Sequence, residues 1–410
     1  MEHTPCRFCG APLRHTFLDL GATPLANTYP ADADEAAREP TFPLRVMACE
    51  ACLLVQVEHA VSPEEIFGGH YAYLSSYAAS WVAHAERYAE AMIARFGLGP
   101  DARVIEVASN DGYLLRHFRD RGIAVLGVEP AQNAAAIAEA DGIATEIAFF
   151  NAATGRALAA RGLTADLMAA NNVLAHVPDI AGFVAGFTEV LKPDGVATFE
   201  FPHLLRLIAG VQFDTIYHEH YSYLSLAALE PVFAKARLRV FDVEELPTHG
   251  GSLRLFVSHE GAGHAPTDRL NDLRAAERAA GLDQIDGYAD FSPRVEAVRA
   301  GFLRFLDTAR ADGKTVAGYG AAAKGNTFLN YCGVTARDIP CVVDRNPEKQ
   351  GRLLPGSHIP VRAPEALAEL RPDYVLILPW NIAEEIVAAH AHIRDWGGQF
   401  VVAVPEIRVF

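Results

Sequence analysis

The sequence predicts an α/β protein with two mostly parallel sheets and a small cysteine-rich domain ahead of them. Three observations lead to this prediction. A strand of the buried type over 103–107 runs into a tight turn and then a helix, and the strand over 315–319 does the same in the last third of the chain. Two Cys-x-x-Cys pairs, Cys6/Cys9 and Cys49/Cys52, lie before both of these units.

Composition and charge limit the class of protein. The chain has 410 residues, half of them apolar and 21% charged, which is typical of a globular protein with two or three domains. Its 51 acidic and 35 basic residues give a net charge of −16, which argues against nucleic acid or an anionic membrane as a partner. We expect no leader, lipid anchor or bilayer span, and hence a cytoplasmic protein that buries its cores as a monomer.

The four paired cysteines predict a metal site. Each pair lies in a short turn beside a strand-like stretch, which is the zinc knuckle pattern. Four thiolates close a tetrahedral site without an open position, so we predict structural zinc at Cys6, Cys9, Cys49 and Cys52 and no catalysis there. A redox pair is disfavoured because no thioredoxin-like unit surrounds either motif, and unligated cysteines are the other alternative.

An aromatic segment precedes the first sheet. Residues 71–77 contain three tyrosines, and a helix with apolar residues at helical spacing follows over 80–96. Such tyrosines are more often packing residues than ligands, but ligand clefts favour the junctions between domains. We therefore predict that Tyr71 lines a pocket and that Tyr77 contacts substrate.

The strand, turn and helix that begin at residue 103 form a nucleotide cradle. The next strand, 124–128, ends at Glu129, where a carboxylate can accept both hydroxyls of a ribose. Strand and helix alternate as far as residue 201, which predicts a doubly wound sheet. An alternating hairpin over 238–243 and 252–258 adds antiparallel strands at its edge.

The cradle resembles that of class I S-adenosylmethionine-dependent methyltransferases. Glu106-x-Ala108-x-Asn110-Asp111-Gly112 is similar to their first motif, acidic-x-Gly-x-Gly-x-Gly, with two glycines replaced by Ala108 and Asn110. The strand end at Glu129, the run from Asn171 to 177, and Leu-Lys-Pro-Asp-Gly at 191–195 extend the resemblance. A dinucleotide site would need the glycine fingerprint, which the asparagine breaks.

This resemblance implies a set of cofactor residues. The turn would wrap the methionine part of the donor, Glu129 would hold the ribose, Phe149 or Phe150 would flank the adenine, and Asn171 would lie beneath the methionine end. The full set is Glu106, Ala108, Ser109, Asn110, Asp111, Gly112, Glu129, Phe149, Phe150 and Asn171.

Tyr217-His218-Glu219-His220-Tyr221 is the densest run of proton-handling side chains. Two imidazoles, a carboxylate and two phenols can remove a proton from carbon and stabilise the resulting charge. A metal pair or a polar loop is the alternative. In an extended segment, neighbouring side chains face opposite ways, so the spacing does not choose between the two histidines.

A second cradle begins at Gly318. Gly318-x-Gly320-x-x-Ala323 satisfies a relaxed dinucleotide fingerprint and Asp344 ends the next strand, so NAD is an open alternative. Lys324 at the start of the helix suits a diphosphate, and one chain rarely needs both a nicotinamide and a methyl donor. We therefore favour a nucleoside diphosphate as the ligand. The third possibility is a vestigial Rossmann-like unit that binds no ligand and has only a packing role.

These elements predict three domains. They are a zinc-binding domain over 1–70, an S-adenosylmethionine-binding methyltransferase domain over 71–260, and a C-terminal Rossmann-like domain over 261–410 with nucleotide-sugar contacts. His249 stands in a glycine-rich turn that allows a ligand to approach closely, although an ordinary hairpin turn explains it equally well. The predicted substrate residues are Tyr77, Asn172, His249, Gly320, Lys324 and Asn326.

The order of these parts resembles, over essentially the whole chain, the sugar C-methyltransferases of deoxysugar pathways. The resemblance implies methyl transfer to C-3′, next to the keto group, of a nucleotide-linked 4-keto-6-deoxysugar carried on dTDP, in antibiotic biosynthesis. It implies that His220 is the base. Glu219 would orient an imidazole ring or hold a sugar hydroxyl, and Tyr217 would donate a hydrogen bond to the enolate oxygen. His176 and Tyr71 would line the pocket.

Other classes of function stay open from the sequence. An O- or N-methyltransferase would use the same fold without carbon acidity. A zinc-anchored binding protein would hold the donor without turnover, and an NAD-dependent sugar oxidoreductase would use the third domain. The nucleoside, the choice between C-3′ and C-5′, and the other sugar substituents all depend on the shape of the pocket.

Overall fold

The computed structural model describes residues 3–63, 66, 74–77 and 79–410. The strands are β1 His15–Thr23, β2 Phe42–Ala48, β3 Val55–Val57, β4 Arg103–Val107, β5 Ala124–Val128, β6 Thr145–Glu146, β7 Ala165–Asn171, β8 Leu191–Pro202, β9 Ser222–Tyr223, β10 Leu238–Leu246, β11 Ser252–His259, β12 Val316–Tyr319, β13 Val342–Val343, β14 Val361–Arg362, β15 Tyr374–Ile377, β16 Gln399–Val402 and β17 Arg408–Val409. They form sheets of four, seven and six strands.

The α-helices lie mainly between the strands of the two larger sheets. They are Ala33–Ala36, Ala79–Phe96, Leu115–Arg119, Gln132–Ala140, Ala152–Ala160, Ile180–Val190, Leu204–Ala209, Leu226–Lys235, Asp268–Ala279, Phe291–Ala311, Ala323–Cys332, Ala366–Leu370 and Ala383–Ala389. Within the described ranges, none of them has both the length and the apolar character needed to cross a membrane.

The four-stranded sheet, in the order β1-β2-β3-β9, is antiparallel and takes its last strand from a distant part of the chain. Val55 of β3 pairs with Tyr223 of β9, directly after the Tyr217–Tyr221 segment. Arg7, inside the first knuckle, donates to the carbonyls of Val57 and Tyr221. The cysteine-rich domain therefore holds the end of that segment.

The seven-stranded sheet has the order β10-β11-β8-β7-β4-β5-β6. Strands β4 to β8 are parallel, whereas β11 and β10 add an antiparallel hairpin at the edge. The predicted doubly wound sheet with an edge hairpin is confirmed. Because β4 has β5 on one side and β7 on the other, the winding reverses there, which opens a crevice at the carboxyl ends of these strands.

The six-stranded sheet, β14-β13-β12-β15-β16-β17, is a second Rossmann-like unit. Its first strand, β12, lies between β13 and β15 and is parallel to both, so it has a switch point of the same kind. Its core is shared with the cysteine-rich domain. The rings of Phe17 and Phe291 stack there with centroids 4.5 Å apart.

Two helices are shorter than the sequence predicts. The pattern predicts one helix over 381–394, but the structure has a helix over Ala383–Ala389 with 3-10 turns on both sides. The helix ends where the His390 ring lies 2.9 Å from the Tyr319 hydroxyl, a tertiary contact that sequence periodicity does not reveal. The sequence pattern also predicts that the helix after β4 covers residues 113–121, but in the structure it covers only Leu115–Arg119.

Candidate active site

The four knuckle cysteines converge at one edge of the N-terminal sheet. The Sγ atoms of Cys6 and Cys52 are 3.6 Å apart, those of Cys9 and Cys49 are 3.5 Å apart, and all four ligand atoms lie within 4.8 Å of one another. Four sulfurs bound to one tetrahedral zinc at about 2.3 Å would be about 3.8 Å apart. The cluster therefore fits structural zinc, and it leaves no position for a catalytic water.

The turn after β4 has the left-handed backbone of a glycine-rich cradle although two glycines are missing. The φ angles of Ala108, Asn110 and Gly112 are 56°, 50° and 77°. Asparagine adopts the left-handed conformation readily, whereas the same conformation costs an alanine residue about 1–2 kcal/mol. A Cβ at Gly112 would collide with the Ile143 side chain, so only this position needs glycine for space.

A cavity of about 530 Å³ opens beside this turn. Its volume suits a small-molecule ligand, for which sites of about 300–1,000 Å³ are usual. The predicted site residues on its wall are Ala108, Asn110, Glu129, Phe149, Phe150, Asn171, Asn172, His176 and His249. The predicted cofactor residues buried behind the wall are Glu106, Ser109, Asp111 and Gly112.

Glu129 is held in a fixed orientation at the cavity. Its Oε2 accepts a hydrogen bond from the backbone N–H of Asn110 (2.9 Å), and its Oε1 accepts one from Ala131 (2.8 Å). Each carboxylate oxygen keeps a second lone pair, so the group can still accept ribose hydroxyls. Burial raises the pKa of Glu129, and the two backbone bonds oppose that rise.

Two more acids lie behind the turn and make this end of the cavity suitable for a cation. Glu106 is 1% exposed, and burial, followed by the charges of Glu129 and Asp111, raises its pKa well above the ordinary value. Among the described residues, Glu106 Oε2 and Asp111 Oδ1 have no hydrogen-bond partner. S-adenosylmethionine carries a sulfonium and an ammonium, and a nearby cation favours the ionised form of a carboxyl group, so its binding would oppose the raised pKa of Glu106.

Phe149 and Phe150 differ in their packing. Phe150 is 7% exposed and lies edge-on to Phe183 and Phe187, with centroid distances of 5.7 and 5.0 Å. Phe149 also lines the cavity but is 43% exposed. An exposed ring on a cavity wall can stack on a base, so we propose that Phe149 contacts the adenine, whereas Phe150 packs in the core.

Substituting each phenylalanine with alanine separates these roles. Phe149→Ala should raise the dissociation constant of the donor about tenfold, since one base–aromatic stack contributes about 1–3 kcal/mol, and should leave the melting temperature unchanged. Phe150→Ala should lower the free energy of unfolding by about 3–5 kcal/mol. Calorimetric titration with S-adenosylhomocysteine and thermal unfolding test both. Unchanged affinity in Phe149→Ala would refute the assignment.

The Tyr217–Tyr221 segment is a turn, which decides how its side chains point. The His220 N–H donates to the Tyr217 carbonyl (2.9 Å), and the two rings lie 4.1 Å apart. His218 instead contacts the Phe42 carbonyl through Nε2 (3.2 Å), and the Tyr221 hydroxyl donates to another carbonyl of the N-terminal domain (2.6 Å). His220, and not His218, therefore packs against Tyr217.

His220 has the tautomer that a base requires. Its Nδ1 lies 2.8 Å from the Thr215 carbonyl, and a carbonyl only accepts, so Nδ1 carries the proton and Nε2 carries the lone pair. The ring is 4.7 Å from that of His176, which lines the donor cavity. Burial, followed by the charge of His176, lowers the pKa of His220 well below 6.5. Both histidines are neutral at pH 7.

The lowered pKa values predict the pH dependence of proton removal. If His220 is the base, its neutral form is the active one, and burial lowers the pKa of both His220 and His176, the latter to about 4. The rate should therefore stay level from neutral pH to pH 6.5 and fall only below it. Deuterium exchange into a keto substrate across this range measures it. An acid limb centred at the ordinary histidine pKa would contradict the prediction.

Glu219 connects the segment to the two flanking domains. Its Oε1 accepts a hydrogen bond from Asn27 Nδ2 (2.5 Å), and its backbone carbonyl bonds the His176 ring. Burial raises the pKa of Glu219, whereas Asn27 and Lys349 lower it. The carboxylate thus lies among the N-terminal domain, the methyltransferase sheet and the C-terminal unit.

The second cradle is partly filled by the N-terminal domain. The Tyr29 hydroxyl donates to the Ala321 carbonyl (2.6 Å), and Asn326 Nδ2 donates to the Ala26 carbonyl (2.7 Å). The Ala321 N–H donates to Asp344 Oδ2 (2.7 Å). A dinucleotide would need this turn, which the N-terminal domain contacts through Tyr29 and Ala26, so the geometry does not favour NAD here. Asn326 lies in a buried interdomain contact.

Lys324 lies close to the histidines. Its Nζ donates to Asn381 Oδ1 (2.7 Å) and lies 4.6 Å from the Trp380 ring centroid. Its charge contributes to the lowered pKa values of His220 and His249. Gly320, with φ 92°, faces Pro379 at the end of β15, where a Cβ would clash. Lys324 is therefore a cation that the C-terminal unit places near His220 and His249.

Two predicted residues, Tyr71 and Tyr77, belong to the aromatic segment ahead of the first sheet. Tyr71 lies outside the described residues, and Tyr77 is 80% exposed. The backbone N–H groups of residues 75 and 76 donate to Asn110 Oδ1 (2.9 Å) and Asp111 Oδ2 (3.1 Å), so the cofactor turn also holds this segment. Substrate contact by either tyrosine stays a prediction.

Sequence reasoning missed Trp81 as a cavity residue. It lines the cavity and lies edge-on to His249, with centroids 5.1 Å apart, and it stacks on His84 at 4.9 Å. In the sequence, Trp81 is only one of the apolar positions of the predicted helix. The one feature that could have singled it out is that the chain has only three tryptophans.

Sheet topology, cradle and cavity together define a class I S-adenosylmethionine-dependent methyltransferase. Profiles of three families match the chain: a zinc binding domain over residues 6–67, a methyltransferase domain over 81–243, and a C-methyltransferase C-terminal domain over 247–405. The C-methyltransferase NovU of Streptomyces niveus is 40% identical over 404 residues, which cover 98% of this chain and 96% of NovU. The chain belongs to this family of S-adenosylmethionine-dependent C-methyltransferases.

Two solved structures show the extent of structural similarity. Magnesium protoporphyrin IX methyltransferase of Synechocystis PCC 6803 with bound SAH has a TM-score of 0.35 and 12% identity, and the match covers 43% of this chain and 83% of that one. An S-adenosylmethionine-dependent methyltransferase of Mesorhizobium loti has a TM-score of 0.34 and 16% identity, with 42% and 97% covered.

Proposed function

We propose that this C-methyltransferase acts on C-3′ of a dTDP-linked 4-keto-6-deoxysugar, at the carbon next to the keto group. One observation carries the proposal. His220 is a buried neutral histidine whose Nδ1 proton is fixed by the Thr215 carbonyl, and its ring contacts His176 on the donor cavity. A base so placed suits a reaction in which a carbon loses a proton beside the methyl donor.

The proposed reaction begins with proton transfer from C-3′ to Nε2 of His220. The electron pair of the broken C–H bond moves toward the keto oxygen, which becomes an enolate oxygen. Tyr217, whose ring lies 4.1 Å from that of His220, donates a hydrogen bond to this oxygen. The enolate carbon then takes the methyl group that the sulfonium donor supplies, and the keto group reforms as S-adenosylhomocysteine is released.

Two effects supply most of the expected rate. A positioned base contributes about 10²–10⁴-fold. A donor directed at the developing oxyanion contributes about 10²–10³-fold more. The buried surroundings strengthen the second effect, because electrostatic interactions are less screened there than in water.

Lys324 is the proposed site of the diphosphate. It is a cation beside His220 and His249 in a protein of net charge −16, and it lies over the Trp380 ring at the end of β15. Ligands of open α/β sheets bind at such carboxyl ends. We propose that His249 and Asn172, on the wall of the donor cavity, contact the sugar between this site and the methyl donor.

Hydrogen exchange and methyl transfer, both followed in heavy water, test the proposal. The protein is incubated with a thymidine-diphosphate 4-keto-6-deoxysugar, first alone and then with S-adenosylmethionine. Deuterium should enter beside the ketone without the donor, and a stable methyl group should appear at C-3′ with it. No exchange and no methylated product would reject this substrate or the carbon-acid mechanism.

A further inference from the structure

Asp214 is a buried carboxylate that the proposed reaction does not use. It is 1% exposed and belongs to the 3-10 turn Phe213–Thr215, directly ahead of the Tyr217–Tyr221 segment. The next residue, Thr215, supplies the carbonyl that binds the Nδ1 proton of His220 (2.8 Å). Asp214 therefore lies on the turn that fixes the tautomer of the proposed base.

The C-terminal unit holds this turn through two hydrogen bonds. Trp380 Nε1 donates to Asp214 Oδ2 (2.7 Å), and the Thr327 hydroxyl donates to the Ile216 carbonyl (2.9 Å). The Lys324 ammonium lies over the same indole, 4.6 Å from its centroid. A single tryptophan thus connects a buried carboxylate at its edge with an ammonium over its face. Asp214 Oδ1 has no hydrogen-bond partner in the described part of the chain.

Charge balance gives Asp214 a specific task. A cation in a poorly hydrated site costs several kcal/mol unless an opposite charge compensates it. Among the described residues, the titratable groups that interact electrostatically with Lys324 are Asp214, His220 and His249, and burial keeps both histidines neutral. Burial lowers the pKa of Lys324, and Asp214 opposes that shift. Burial raises the pKa of Asp214 to about 6, so it is mainly ionised at pH 7.

We propose that Asp214 is a positioning residue of the active site: it orients Trp380 and keeps Lys324 charged beside His220. The task of Lys324 rests on the proposed function, in which this ammonium binds the substrate's diphosphate. The electrostatic link between Asp214 and Lys324 needs no substrate, so it can be measured separately.

The first test measures the pKa of Lys324 directly. The chain contains five lysines, so ¹³C/¹⁵N-lysine labelling gives a small set of Cε signals, and Lys324→Arg assigns the one of interest. In Asp214→Asn the pKa of Lys324 should fall by about one unit or more. The matched control is Asp242→Asn, another buried aspartate, which lies on β10 and accepts hydrogen bonds from the side chains of Arg95 and Arg269. It should leave the Lys324 signal unchanged. An unchanged pKa in Asp214→Asn would overturn the proposal.

A double variant keeps the proposal testable if Asp214→Asn does not fold. In that case Asp214→Asn/Lys324→Met should fold, because it removes the uncompensated ammonium together with its counter-charge. If the double variant is also unfolded, the pairing is wrong.

Kinetics then separate this proposal from the proposed function. If the substrate class is right, Asp214→Asn should raise the KM for the nucleotide sugar about tenfold or more, leave donor affinity unchanged, and move the alkaline limb of the pH profile to lower pH. If the wild-type protein is inactive on keto-sugars, the proposed substrate class is wrong. The titration of Lys324 would still decide whether Asp214 has the proposed role. A normal KM and an unmoved alkaline limb in an active Asp214→Asn variant would contradict the positioning role.

Discussion

Replacing His220 with asparagine should reduce the rate of methyl transfer by about 10²–10⁴-fold, the usual contribution of a positioned base. The asparagine amide can still donate to the Thr215 carbonyl that holds the native ring, so the turn should keep its shape. It has no basic lone pair, so proton removal from carbon is lost. Donor affinity should not change, because His220 is outside the set of residues that line the donor cavity.

Steady-state kinetics and donor titration of the same preparation test this. His59→Asn is the matched control, since its half-exposed side chain lies in the N-terminal domain, where its Nε2 is 3.7 Å from Glu58 Oε2. It should behave like the wild type. If His220→Asn methylates at the wild-type rate, the base is another group, and His176 is the next candidate because its ring lies 4.7 Å away.

Loss of zinc should abolish methyl transfer although the metal takes no part in the chemistry. Structural zinc sites supply binding energy on the order of 10 kcal/mol, so the knuckles should unfold without it. Arg7 would then lose its contacts to Val57 and Tyr221, and β9 would lose its pairing with β3. The segment that carries His220 would be held at only one end. Donor binding should persist, because the cavity belongs almost wholly to the seven-stranded sheet.

Cys49→Ser and chelator treatment both test this, with zinc content, activity and donor affinity measured together. Cys341→Ser is the matched control, since Cys341 is a buried cysteine outside the metal cluster. It should retain zinc and activity. A zinc-free protein that methylates at the normal rate would show that the N-terminal domain does not support the base.

Features that depend on residues close together in the chain were predictable from the sequence. The cysteine spacing predicted the metal cluster. The strand, turn and helix at 103–119 predicted the donor cradle, even though Ala108 and Asn110 replace glycines. Their left-handed φ angles show that the backbone shape is kept without the usual residues. The antiparallel hairpin followed from the alternation of apolar and polar residues, although seven of the eight residues of β11 are buried and so both of its faces are covered.

Contacts between domains were not predictable in this way. Nothing in the sequence connects Asn27 to Glu219, or Trp380 to Asp214, yet both pairs are hydrogen-bonded in the structure. Their separations along the chain exceed 160 residues, so no periodicity or spacing rule reports them. The packing of His220, and not His218, against Tyr217 also needed the turn geometry, since an extended segment would have placed Tyr217 and His220 on opposite faces.

The most direct test of the account uses a dTDP-linked 4-keto-6-deoxysugar that carries deuterium at C-3′. Carbon methylation at C-3′ replaces the C–²H bond, so we expect a methylated product without the label and slower turnover where proton removal limits the rate. Mass spectrometry and NMR of the product measure its deuterium content and identify the carbon that carries the new methyl group. A methylated product that retains deuterium at C-3′ would contradict methylation at that carbon through a His220-generated enolate.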